Sequence, residues 1–224
     1  MAIRSLNGVA IHITEEWERL AAGWLARAVG AGGHVALSGG SVRSAYALAS
    51  ELEPNWANAH VWLCDERVVP FDDERSNFRL VQESVLTRVR AAPLVHAVDT
   101  SLGAEEAAAR YDEELRGVTL ELAVLGIGPD GHTASLFPNA PGLEERERRA
   151  VAAEAGLEPL VERVTMTPPV FAAAELLLYV AAGEGKAEAV KRAFTDDPSP
   201  ATPASLVRGR ETMAILDHAA AALL

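Results

Sequence analysis

The chain of 224 residues has one cysteine, Cys64, and two lysines, Lys186 and Lys191. A single thiol excludes any intrachain disulfide and fits a reducing compartment. No basic segment followed by an apolar stretch and a cleavage site opens the chain, so export is not expected and a cytoplasmic setting is. The most apolar stretch, 164–183, is interrupted by Pro168, Pro169 and Glu175. A membrane span would need about 20 predominantly apolar residues, so this stretch reads as two shorter buried elements. There is no HExxH, no close histidine pair and no partner for Cys64, which argues against a zinc cluster. Nor is there a GxxxxGK[ST] loop, a G-x-S-x-G elbow, or an acidic loop for magnesium or calcium, and the LSGGS turn lacks the full GxGxxG fingerprint.

What is present is a globular composition, 49% hydrophobic, with 20 basic against 32 acidic residues and a net charge of -12. That charge disfavours a general nucleic-acid or anionic-membrane surface. It does not exclude an anionic small molecule, which responds to the field inside one cleft.

Short apolar runs alternate with helical patterns along the chain. The runs GVAIHI, HVALSGG, HVWLCDER, LVHAV, LELAVLGIG, RVTMTP, ELLLYVAA and TMAIL read as strands. Helices are expected over EEWERLAAGWLARAV, through Tyr46 to Leu52, from Ser76-Asn77, over 105–115, in PVFAAA, in GEGKAEAVKRAF and in PASLV. A short helix is expected to open around His132, and another to close the chain. No long linker or internal repeat divides the sequence. The expected fold is therefore one α/β domain over 1–224, a Rossmann-like layer with a mostly parallel sheet covered by helices on both faces.

Ligands of such sheets bind beyond the carboxyl ends of strands. Three polar turns sit there. Ser38-Gly39-Gly40-Ser41 offers backbone N–H groups and a helix start for a phosphate, although paired glycines also serve ordinary turns. Asp65 and Arg67 follow the next strand, where Arg67 suits an anionic substrate and Asp65 suits either that arginine or sugar hydroxyls; a surface ion-pair cluster is the plainer reading. In the downstream SN pair, Ser76 or Asn77 suits a helix cap. The third turn carries Asp130 and His132, an imidazole able to take a proton near neutrality beside a carboxylate able to set its tautomer. Asp130 equally suits a helix cap. Arg163 and Lys186 are candidate phosphate clamps beside apolar strands, and solvent exposure is their plainer reading.

LSGGS, DERVVPFDDERSN, GIGPDGHTASLFP, RVTMTPPVF and GEGK, in this order and spacing, resemble the 6-phosphogluconolactonase family, within the wider group that includes glucosamine-6-phosphate deaminases. The resemblance covers most of the chain, and the Asp-Gly-His block followed by TASLFP is its most specific part. It implies hydrolysis of 6-phosphoglucono-1,5-lactone in the oxidative pentose phosphate pathway, without cofactor or metal. It also implies His132 as general base, with Asp130, Asp65 and Arg67 around the ring or the histidine. The phosphate is then expected at Ser38, Gly39, Gly40 and Ser41 with Arg163 and Lys186, and Asn77 near the pocket. The expected partner is a small sugar phosphate, with neither nucleic acid nor membrane involved; monomer and homodimer both stay open.

Two departures from the family pattern stand out. SVRSAY replaces the usual threonine-proline continuation, so Val42 supplies no hydroxyl, and the approach to Arg163 lacks its usual prolines. The alternatives are a deaminase or isomerase of a phosphorylated amino sugar, disfavoured by SLFP where those enzymes carry asparagine-glutamate-proline, and a sugar-phosphate-binding module without turnover.

Overall fold

Eight strands form the central sheet of the computed structural model, which describes residues 2–224. They are β1 (Ala2–Leu6), β2 (Val9–Ile13), β3 (His34–Leu37), β4 (His60–Leu63), β6 (Leu94–His96), β7 (Leu122–Leu125), β10 (Leu176–Ala181) and β11 (Glu211–Leu216). The order is β1-β2-β11-β10-β7-β3-β4-β6. All neighbours are parallel except β1 and β2, which form an antiparallel hairpin at one edge.

Strands buried on both faces need apolar residues at every position, and β7 shows it: all four residues are buried. Ala123 and Leu125 face a core shared with Trp62, Tyr111, Phe171 and Phe194, while Leu122 and Val124 face one shared with Tyr46, Trp56 and Leu25. The first core is covered by α4 (Ala104–Glu114), α5 (Pro168–Ala173) and α6 (Ala187–Phe194), the second by α1 (Trp17–Gly30) and α2 (Arg43–Leu52). Each large buried side chain contributes roughly 1.5–3 kcal/mol. Ion pairs such as Arg43–Glu83, with side chains 55% and 37% exposed, matter far less. No helix among the described residues is long and apolar enough to cross a membrane.

The expected mostly parallel α/β layer is what the chain forms, with one addition. A second, three-stranded antiparallel sheet joins β5 (Asp65–Arg67), β9 (Arg163–Met166) and β8 (Ala150–Ala153) in the order β5-β9-β8. HVWLCDER is thus two strands. After Cys64, whose N–H bonds to Leu37, the chain leaves the main sheet and pairs with β9.

Two expected helices are absent. Around His132, positive φ at Gly131 (95°) and Ala134 (48°) prevents the run of right-handed residues a helix requires, and turns form instead. After β11 the chain ends in consecutive turns, pinned by Asp217, which accepts from Ala220 N and Gly183 N. The remaining helices are α3 (Asn77–Val81), continued by a π-helical stretch Gln82–Leu86, and α7 (Pro203–Leu206).

The strand order fixes where a ligand can enter. From β3 the chain moves outward through β4 to β6; from β7, the neighbour of β3, it moves the opposite way through β10 to β11. The loops leaving β3 and β7 therefore part at their carboxyl ends and open a crevice.

Candidate active site

That crevice is a cleft of about 150 Å³. Ser38, Gly39, Gly40 and Ser41 after β3, Asp65 and Arg67 in β5, His132 after β7, and Lys186 after β10 all line it.

The turn after β3 runs into α2, whose N-cap Val42 offers no side-chain bond to the helix end. Gly40 has a φ of 92°, a conformation glycine takes without strain. The N–H groups of Gly39, Gly40 and Ser41 donate to no backbone oxygen among the described residues. They and the open start of α2 have the geometry suited to an anion. Gly39 has a second reason to be glycine, because a Cβ there would overlap Asn77 Oδ1. Val42 is 1% exposed and packs into the core while lining the cleft.

Strand alternation arranges the DER segment. Asp65 and Arg67 share the cleft face, and Glu66 points the other way. Fully buried, its carboxylate accepts from Arg67 N, Asn77 N and Phe78 N, each at 2.7 Å, and from Ser76 Oγ at 3.1 Å. Burial raises its pKa in spite of these donors. Ser76 caps α3 by accepting from Arg79 N, so Glu66 and Ser76 together fasten α3 to β5. Asn77 then lies behind the cleft wall, not on it, with its side-chain N–H₂ on the Asp65 carbonyl (2.7 Å) and Oδ1 (3.2 Å).

His132 sits in a braced loop. Gly128 N donates to His132 O, Thr133 Oγ1 to Gly126 O, and Arg192 Nη2 to Pro129 O. Asp130 Oδ1 accepts from His132 N at 3.1 Å and lies 2.6 Å from His132 Nδ1. The pair is partly buried, with side chains 22% and 27% exposed, and Phe137 packs against the imidazole at 4.8 Å between centroids. Gly128 is required here: a Cβ would overlap the imidazole and come within 2.6 Å of Asp130 Oδ1. Asp130 thus bonds to the histidine and caps no helix.

Lys186 Nζ donates to Ile127 O at 2.7 Å, and burial lowers its pKa, opposed by the Asp130 charge. Arg163 does not line the cleft beside the glycine turn. It lies in an adjoining recess of about 50 Å³, which shares Asp65, Arg67 and His132 with the cleft and is closed by Phe137, Leu157 and Glu158. Burial, then the nearby Arg67, lowers the Arg163 pKa. Its Nη2 donates to Pro159 O and Arg67 Nη1 to Arg75 O.

Ser38 Oγ, Arg67 Nε, Asn77 Oδ1 and Arg163 Nε and Nη1 are buried without a protein partner. Elsewhere among the described residues only His12 Nδ1 and Arg149 Nε share that condition. Unpaired buried polar atoms cost roughly 1–3 kcal/mol each, so their concentration around the cleft sets this region apart from ordinary packing.

Glu66, Gly128, Thr165 and Ser135 are not among the site candidates read from the sequence. Ser135 Oγ donates to Asp65 Oδ2 at 2.7 Å, and its N–H to Thr165 Oγ1 at 3.2 Å. The alternation of DER could have signalled Glu66; the Ser135 contacts with Asp65 and Thr165 are long-range.

Residues 9–215 match the family model described as glucosamine-6-phosphate isomerases/6-phosphogluconolactonase. The 6-phosphogluconolactonase of Rattus norvegicus is 41% identical over 205 residues, 84% of this chain and 79% of the rat protein. The crystal structure of 6-phosphogluconolactonase from Thermotoga maritima superposes with a TM-score of 0.82 at 30% identity, over 92% of this chain and 98% of that one. A monomeric glucosamine-6-phosphate deaminase shares the fold, with a TM-score of 0.81 at 19% identity over 96% and 99% of the two chains. With the family model spanning nearly the whole chain and the rat enzyme this similar, the chain belongs to the glucosamine-6-phosphate isomerase/6-phosphogluconolactonase family.

Proposed function

We propose that this protein hydrolyses 6-phospho-D-glucono-1,5-lactone to 6-phospho-D-gluconate, as a cytoplasmic enzyme of the oxidative pentose phosphate pathway. The observation that carries the mechanism is the His132–Asp130 pair, 2.6 Å apart, with the imidazole on a cleft that has an anion cradle at one end. An ionised carboxylate only accepts, so Nδ1 holds the proton and Nε2 keeps its lone pair.

The phosphate binds the Gly39–Ser41 N–H groups, the start of α2 and Lys186, while Arg163 adds positive charge from the adjoining recess. This fixes the ring with C1 toward His132. His132 Nε2 takes a proton from water as the water oxygen attacks C1. The carbonyl electrons move to the exocyclic oxygen, and Arg67, with its unpaired Nε, faces the resulting charge. As the oxyanion re-forms the carbonyl, the bond from C1 to the ring oxygen breaks and that oxygen takes the proton from Nε2. The carboxylic acid then ionises. Proton transfer of this kind is worth roughly 10²–10⁴-fold. Asp65 accepts a ring hydroxyl, and Asn77 supports it from behind. Every step uses a side chain or backbone N–H of this chain.

Lactone opening and glucosamine-6-phosphate deamination, assayed side by side on one preparation, test the reading. We expect lactone opening well above the spontaneous rate and no ammonia release. Ammonia release without accelerated lactone opening overturns it.

A further inference from the structure

The surroundings of Asp65 are not those of a free base. Oδ2 holds the Ser135 hydroxyl at 2.7 Å, and Oδ1 and the main-chain oxygen share the Asn77 amide at 3.2 and 2.7 Å. The three residues are 6%, 2% and 1% exposed in the order Asp65, Ser135, Asn77. Ser135 is itself held, since Thr165 Oγ1 accepts its N–H at 3.2 Å and donates to Met166 O at 3.0 Å. Thr165 is the register partner of Asp65 across β5 and β9, so the three residues form one rigid corner.

The backbone is strained to make this contact. Ala134 has a φ of 48°, in a turn closed by Leu136 N on Thr133 O at 3.0 Å. A residue with a Cβ is strained there. Strain of this kind persists where the surrounding structure over-determines it, and sites are where it gathers. Its result here is a hydroxyl carried from the His132 loop to the carboxylate of β5.

We propose that Ser135 is a positioning residue: with Asn77 it holds the Asp65 carboxylate as a fixed acceptor for a hydroxyl of the sugar ring and withholds it from proton transfer. The inference rests on the lactonase reading above. A carboxylate that moves a proton between adjacent carbon atoms of a sugar works best when its oxygens can shift from one to the other. Here such a shift would break the Ser135 and Asn77 bonds inside a buried corner, where an orphaned donor is costly. Hydrolysis needs only one base, His132, and gains from an acceptor that does not move. Ser135 thus ties the histidine loop to the ring-binding strand and biases the site toward lactone opening.

A double-mutant cycle on the full chain decides it, with kcat/KM read for wild type, Ser135→Ala, Asp65→Asn and the pair. If Ser135 acts through Asp65, its loss costs about ten-fold in wild type and about two-fold or less when Asp65 is already asparagine. If Asp65→Asn turns over too slowly to measure, the same cycle is read as the Kd for 6-phosphogluconate by calorimetry. Should Ser135→Ala not fold, Ser135→Cys, of similar size and a weak donor, takes its place. Equal losses in both backgrounds would mean a packing role and overturn the proposal. A wild-type protein without lactonase activity would instead overturn the reading beneath it.

Discussion

On the face of the sheet covered by α4, His34, His60 and His96 stack beside Trp62. The His34 and His60 centroids are 4.3 Å apart, and His96 lies flat on Trp62 at 3.6 Å. At the carboxyl end of β7, His132 has one carboxylate for company. By density of imidazole the first region looks the more reactive. Its nitrogens, however, are turned on their neighbours. Trp62 Nε1 donates to His34 Nδ1, and His60 Nδ1 meets His96 Nε2, both at 3.0 Å. Burial, then the charges of His60 and His34, brings the His96 pKa down to about 4. His132 has its outer nitrogen left over and shares its cleft with the glycine turn after β3. The orientation of the unoccupied lone pair separates the packed histidines from the one that faces the cleft.

The sharpest way to break this comparison is to remove one histidine from each region. His132→Ala should lower kcat by roughly 10²–10⁴-fold, the usual value of a positioned base. Its affinity for 6-phosphogluconate should be kept, and His60→Gln should leave kcat unchanged. Stopped assays corrected for spontaneous opening read both. Comparable losses from the two variants would remove the distinction.

The Asp130 partnership is the next target. Gly128→Ala places a Cβ inside the space of the imidazole and beside Asp130 Oδ1. The pair must part, and kcat should fall about 10–100-fold, as when a reacting group is displaced by about 1 Å. Its melting temperature should change little, because the loop keeps its other braces. An unchanged kcat would show that His132 works without Asp130.

These contrasts also show where sequence reasoning stops. The apolar runs reported the strands of the main sheet because burial on both faces leaves no room for polar residues. The post-strand turns reported the cleft because loops leaving neighbouring carboxyl ends border one crevice. Asp65 and Arg67 were legible as residues but not as a separate strand, since pairing with β9 is a contact across some hundred positions. Arg163 was legible as a cation; that it lies in the recess beyond Arg67, and not beside the glycine turn, depends on how β9 crosses. The missing helix at His132 has a cause that composition hides: Ala134, a strong helix former, sits at positive φ between Thr133 and Ser135, which are tied to Gly126, Asp65 and Thr165. Tertiary contacts overrode propensity.

If Lys186 binds the phosphate as proposed, Lys186→Met should raise KM about ten-fold with a smaller change in kcat, since an unreacting group is held equally in ground and transition states. Burial lowers the Lys186 pKa. Affinity for 6-phosphogluconate should therefore weaken on the alkaline side at a lower pH than for an ordinary lysine. Calorimetric titration from neutrality upward measures this, and a flat profile would separate Lys186 from the phosphate.

The smallest effect expected belongs to the other histidines and concerns stability. With His96 near 4 in the folded chain and about 6.5 unfolded, the unfolded state binds more protons between those values. Stability then falls as pH drops through that window, by about 1 kcal/mol between pH 7 and 5 once partial exposure is allowed for. For a chain of this size, that is a fall of about 2–4 °C in Tm. His34 and His12, also lowered by burial, add to the slope. Glu66, raised by burial, opposes it. Glu145, brought to about 2 mainly by the N–H groups of Glu147 and Arg148, acts only at lower pH. The raw slope is therefore a difference of several groups, and His96→Gln isolates one of them. Glu114, 3.8 Å from His96 Nδ1, is too exposed to offset the loss. The variant should lose less stability on acidification than wild type while keeping its kcat at neutral pH, because the cluster packs and does not react. A variant with the wild-type slope would mean that His96 takes up its proton in the folded protein as readily as in the unfolded one.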